Sequence, residues 1–149
     1  MRKIFTAVAL GLTTLAASAQ WALPANDVPA YHAAAPAKGA VLAPVLSGTQ
    51  LTGDNFRYPW QVTAYRDAAK VQRVIYQLPC YCHCDQAMGH QSLRSCFEGL
   101  HGAECTTCSK EAIYAYAMTE QGKSVAQIRD GIMHGEFQKI DLNDVQNGM

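Results

Sequence analysis

With 149 residues and twelve basic side chains against twelve acidic ones, the chain is near neutral and has room for a single domain. No basic stripe addresses a nucleic acid or an anionic membrane surface, which excludes both as partners on this reading. Its six cysteines all fall between residues 80 and 108.

Residues 1 to 19 read as an export signal. Arg2 and Lys3 form the positive end, Ile4 to Leu15 the apolar stretch, and Ala17-Ser18-Ala19 a small-residue cleavage site that leaves Gln20 first. The apolar run is shorter than the ~20 residues that span a bilayer. The expected product is an exported protein, periplasmic or secreted, with no stable membrane insertion once the signal is removed. Losing Arg2 and Lys3 leaves the mature chain two charges negative. Outside the cytoplasm, free thiols persist only where a metal, burial or a reductant protects them.

Residues 20 to 53 are rich in Ala and Pro, with Pro24, Pro29, Pro36 and Pro44 among them. Such a composition buries too little surface to offset its ordering entropy, so a flexible spacer is expected. The alternative is that Val41 to Leu46 docks on the domain as an edge strand or arm.

A cysteine-rich helical domain is expected over residues 54 to 142. Pro59 suits the first turn of a helix. Trp60, Ala64, Ala68, Val71, Ile75 and Leu78 then form one apolar stripe, and Pro79 ends the helix. Ser92 is a candidate cap for a short helix carrying Cys96 and Phe97, and residues 99 to 102 read as loop. Cys105-Thr106-Thr107-Cys108 opens a second long helix, with Thr106 or Thr107 as cap and Glu111 complementing the dipole. Ala112 to Met118 suits a buried helix, and Gly122 stops it. Ser124 to Gln127 is a capping box for a third helix with Val125, Ile128 and Ile132 on one face, ended by Gly135. Phe137, Ile140 and Leu142 pack back, and residues 143 to 149 form a frayed tail. The fold class is all-α, with three principal helices and one short one. A core this thin calls for reinforcement by a metal or disulfides.

The chemistry lies in Cys80, Cys82 and Cys84. In an extended segment the three sulfurs share one face, with Tyr81 and His83 on the other. Cys105 and Cys108 share one face at a helix start, where the dipole favours thiolates. Four sulfurs from such a set suit tetrahedral Zn(II), and two or three suit Cu(I). His83, His90 and His101 are candidate nitrogen ligands. The site set drawn from the sequence is Cys80, Cys82, Cys84, Cys96, Cys105, Cys108, His83 and His90. Three disulfides, each joining a cluster cysteine to an outside one, form the competing reading, and the expected compartment favours it. Thiol–disulfide exchange at Cys105-Thr-Thr-Cys108 is a third, without a βαβ pattern to support it. Ser109 stands where covalent haem attachment needs histidine. No catalytic triad, carboxylate pair or phosphate loop stands out, so the chain reads as a binding protein and not an enzyme. Its partners are a metal ion and an unidentified extracytoplasmic protein.

Pro79 to Cys84, Gly89 to Ser92, Cys96-Phe97, Cys105 to Cys108 and Gln121 to Arg129 together resemble the bacterial exported proteins named for a PCYCGC motif. The resemblance runs from about Tyr58 to Phe137. It implies a fold unit and a cysteine set, and no reaction. Many members look like lipoproteins, whereas this chain has no lipid-bearing cysteine. His83 stands where the motif has glycine, which adds a candidate ligand and argues against a tight glycine turn there.

Overall fold

The computed structural model describes residues 27 to 146; the expected export signal and its cleavage site lie outside the described residues. Among these residues the secondary structure is entirely helical: α1 (Pro59–Lys70), α2 (Gln72–Ile75), α3 (Cys84–Met88), α4 (His101–Glu104), α5 (Thr106–Glu120), α6 (Val125–Met133) and α7 (Leu142–Gln146). Three of the seven are long, as expected; four short ones replace the single short helix read from the sequence. No described helix is long and apolar enough to cross a membrane.

Pro59 occupies the first position of α1, and the Gln61 side-chain oxygen accepts from the Tyr58 amide at 2.8 Å. The apolar stripe buries Ala64, Ala68, Val71, Ile75 and Leu78, with Tyr65 beside it and Trp60 only half-buried. The expected continuous helix to Leu78 instead breaks at Val71, which leaves helical geometry at φ −116° and ψ 31°. The break keeps Ile75 and Leu78 in the core while directing Arg73 outward to donate to the Pro36 carbonyl at 2.7 Å.

α5 is the central helix, with α1 packed along it. Cys108, Ser109, Glu111, Ala112, Ile113, Tyr114 and Ala115 are buried on it. Its end follows the expected rule: Gly122 takes φ 74°, and the Lys123 amide returns to the Met118 carbonyl at 3.0 Å. Ser124 caps α6, accepting from the Gln127 amide at 3.3 Å, while the Gln127 side chain accepts from the Ser124 amide at 2.9 Å. Ile128 and Ile132 enter the core, and Gly135 at φ 73° ends the helix.

Of the stretch expected as a spacer, the part from Asp27 onward lies against the helices without forming a strand. Val45 and Leu51 are buried, and the Leu46 amide donates to the Phe97 carbonyl at 3.0 Å. Arg94, itself buried, donates to the Ala43 carbonyl and pairs with Glu98. His32 stacks on Tyr76 with ring centroids 3.8 Å apart.

Gly131 on α6 faces Tyr114 of α5. A Cβ there would sit 2.0 Å from the Tyr114 hydroxyl, which donates to Glu136 at 2.5 Å. Gly131→Ala should therefore displace the Tyr114 ring and cost about 1–3 kcal/mol. Chemical denaturation checks this, and adding Tyr114→Phe should recover part of the loss; a Gly131→Ala protein as stable as the wild type would refute the contact.

Candidate metal centre

The cysteines meet because three short segments are tied to the start of α5. Ahead of the cluster, the Leu93 amide donates to the Leu78 carbonyl at 2.9 Å, joining the chain before Cys80 to the 3-10 turn Leu93–Phe97 that carries Cys96. Within the cluster, the Tyr81 amide donates to the Glu111 carboxylate at 2.8 Å, which fixes the segment on α5. The His83 amide then donates to the Cys80 carbonyl at 3.1 Å. This closes a turn, so the segment is not the extended strand expected from its two-residue spacing. α3 begins directly after it, at Cys84. The three sulfurs nonetheless converge, because the turn folds them inward together.

His83 takes φ 56° and ψ 34°, the left-handed conformation that favours glycine. The tight turn forms despite the histidine, contrary to the sequence-based expectation, and its geometry accounts for the glycine in the motif. The ring lies apart from the sulfurs: Nε2 is 3.6 Å from Asp27, and Nδ1 is 3.5 Å from the Gln86 amide group.

α4 begins inside the stretch 99 to 102 expected to be loop, and three buried hydrogen bonds place it. The Gln61 side chain donates to the Ala103 carbonyl at 2.7 Å, the Tyr65 hydroxyl accepts from the Ala103 amide at 3.2 Å, and Ser109 donates to the Gly102 carbonyl at 2.8 Å. His101 is thereby held beside Cys82, with Nε2 3.6 Å from that sulfur. The next helix, α5, starts from Cys105 as its cap residue, without a side-chain cap bond from Thr106 or Thr107.

The resulting centre holds all six cysteines and two histidines. Cys80 lies 3.4 Å from Cys82 and 3.3 Å from Cys108, and Cys82 lies 3.4 Å from Cys108, sulfur to sulfur. Cys84 and Cys96 are 3.2 Å apart, with the His90 Nδ1 at 3.3 Å from Cys96. All six are free thiols, at separations well beyond a covalent S–S bond of about 2.0 Å. Two sets of four have their donor atoms within 4.8 Å of one another: Cys82, His101, Cys105 and Cys108, and Cys84, His90, Cys96 and His101. A tetrahedral ion with metal–sulfur bonds of about 2.3 Å separates its sulfurs by about 3.8 Å, so these spacings fit a soft ion without rearranging the backbone.

Cys82, partly exposed, is held below the ordinary thiol range by the neighbouring Cys105 and Cys108 thiols. Cys108, buried among Cys105, Cys80 and Cys82, is pushed up by them. Beside the sulfurs lies Glu111, completely buried, with one oxygen on the Tyr81 amide and the other without a partner. It does not serve the helix dipole in the first turn, as the sequence led one to expect. The sequence signal for its true position is its place three residues after Cys108, on the same helix face.

The family model described as "protein of unknown function with PCYCGC motif" matches residues 56–138, which contain every residue of this centre. The chain belongs to the PCYCGC-motif family. No curated protein and no solved structure matches the chain. The motif of the PCYCGC family therefore has a structural meaning here: the proline lies beyond the helix, which already ends at Ile75 and not at Pro79 as expected, the three cysteines line the turn, and the fifth position carries the left-handed residue. His101, a candidate nitrogen ligand in the sequence but not in the site set drawn from it, gains its register from α4, which places it four residues before Cys105.

Burial pushes the Glu111 carboxyl up to about 8, against the opposing influence of the neighbouring Cys80 thiol and the hydrogen bond from the Tyr81 amide. The folded state therefore binds this proton more tightly than the unfolded chain does. Its contribution to stability is complete below about 4.5 and is lost as pH rises through about 8. Urea unfolding of the reduced, metal-free protein should show stability falling by a few kcal/mol across that window. Glu111→Gln should flatten the slope; an identical pH dependence in both proteins would exclude this assignment.

Proposed function

We propose that this chain is an exported soft-metal-binding protein that stores, buffers or hands over Cu(I) or Zn(II). The observation that carries the reading is the convergence of six thiols and two imidazoles in adjoining, overlapping groups, each with its donors at separations suited to an ion. Thiolate and imidazole donors favour these soft and borderline ions over Mg(II) or Ca(II). Partial exposure of Cys82, Cys105 and His101 gives an ion a way in. Nothing in this reading requires a reaction, and a binding role without catalysis is its simplest form. An extracytoplasmic protein would receive or deliver the ion.

After anaerobic loading and desalting, the reduced protein should retain Cu(I) or Zn(II). Cys82→Ser should weaken retention by more than about tenfold, because Cys82 lies within reach of Cys80, Cys84, Cys105, Cys108 and His101. Chelation should lower the thermal midpoint by circular dichroism, with the loss of several kcal/mol expected for a structural ion. If neither ion is retained and non-reducing denaturation exposes no free thiol, a disulfide scaffold is the better account.

The compartment forms part of the same proposal: a leader over residues 1 to 19 and a periplasmic or secreted mature chain. Intact mass of protein recovered from an exporting host should begin at Gln20. A mature chain that retains Met1 would sink the export reading.

A further inference from the structure

The eight donors are more than one ion can use, and they are not arranged as one shell. A single soft ion takes at most four of them. The two sets of four with common reach share only His101. Its Nε2 lies 3.6 Å from Cys82, which places the ring with the first set. The second set then needs a fourth donor, and Cys80 is placed to supply it, since it stands within 4.8 Å of both Cys84 and Cys96.

Resting on the soft-metal reading above, we propose that the centre is built for two ions, each with three sulfurs and one nitrogen. Cys82, Cys105, Cys108 and His101 hold the outer ion; Cys80, Cys84, Cys96 and His90 hold the inner one. The partition uses all six cysteines and both histidines, with none left over and none counted twice. The sets also differ in exposure. Cys82, Cys105 and His101 are partly open to solvent, whereas Cys80, Cys84 and Cys96 are buried. Cys80 is the joint between them: its sulfur lies 3.3 Å from Cys108 and 3.4 Å from Cys82. An ion entering at the outer set can exchange one thiolate at a time for Cys80 and pass inward without leaving sulfur, its charge and coordination number unchanged. The protons of the thiols it engages go to solvent, and those of the thiols it leaves are regained. The outer ion is then the exchangeable one and the inner ion the retained one.

The experiment loads the full mature chain anaerobically with Co(II), and separately with Zn(II), after complete reduction. Bound metal is counted by elemental analysis, and Co(II) is followed by the visible absorption of tetrahedral thiolate-ligated cobalt. The wild type should retain two equivalents. Cys105→Ser, which touches only the outer set, and His90→Ala, which touches only the inner set, should each retain one. A limited amount of a competing chelator should remove one equivalent from the wild type faster than the other, and the fast phase should be missing in Cys105→Ser. Saturation of the wild type at one equivalent would overturn the two-ion partition while leaving the metal-binding function intact. Loss of both ions together in each variant, or retention of two in both, would also overturn it. Retention of no ion by the wild type would remove the function and the partition together.

Discussion

The hydrogen bond from the Tyr81 amide to the Glu111 carboxylate, 2.8 Å long and made to a fully buried acid, is the constraint on which the centre depends. It joins the cysteine turn to the buried face of α5. A buried carboxylate without a cation is costly, and such a group is retained only when its surroundings fix it. Here it sits one helical turn beyond Cys108, so holding Tyr81 there also holds Cys80 against Cys108. Without that tie the turn would be a loop attached only by its ends, and the six sulfurs would have no common place to meet.

The rest of the molecule supports the opposite wall. Gln61 and Tyr65 on α1, and Ser109 on α5, each spend a polar group on the backbone around Ala103. These bonds rigidify α4 and so aim His101. The aromatic contact between Tyr65 and Phe97, with centroids 4.9 Å apart, links the same helix to the turn bearing Cys96. α1 thus touches both walls of the centre while contributing no ligand to it. The arm before it is held chiefly by a buried arginine, Arg94, whose partners come from the arm, from α2 and from its own turn.

Much of the scaffold was legible from period and punctuation. The apolar stripe from Trp60 to Leu78, the capping box at Ser124 and the glycine stops at 122 and 135 each carry their own physical reason, and each reappears in the fold. The cysteine set was legible as well, since so dense a group of sulfurs has few uses. What the sequence concealed is tertiary in origin. The two-residue spacing of Cys80, Cys82 and Cys84 reads as a strand, but a backbone bond to Cys80 and a left-handed residue at 83 make it a turn. α4 is a single helical turn whose stability comes from side chains far away in sequence, so no local pattern announces it. With α4 unseen, His101 has no register, while His83, adjacent to two cysteines, attracts attention it does not merit by position. Glu111 likewise reads as an ordinary helix acid until the turn that covers it is in place.

The spacing of the donors along the chain has a consequence for assembly. Every cysteine pair in the centre is closed by a loop no longer than the 28 residues between Cys80 and Cys108, whereas the arm reaches its anchors across 37 residues or more. Loop-closure entropy rises only slowly with length, yet short closures are the first to be made and the fastest. On the proposed metal-binding reading, an ion would gather the turn, α4 and the head of α5 while the ends of the chain are still unfolded. The metal would then act as a nucleus, selecting the native register of the ligand-bearing segments before the hydrophobic stripes have met, and the long-range contacts of the arm would close on a scaffold already set.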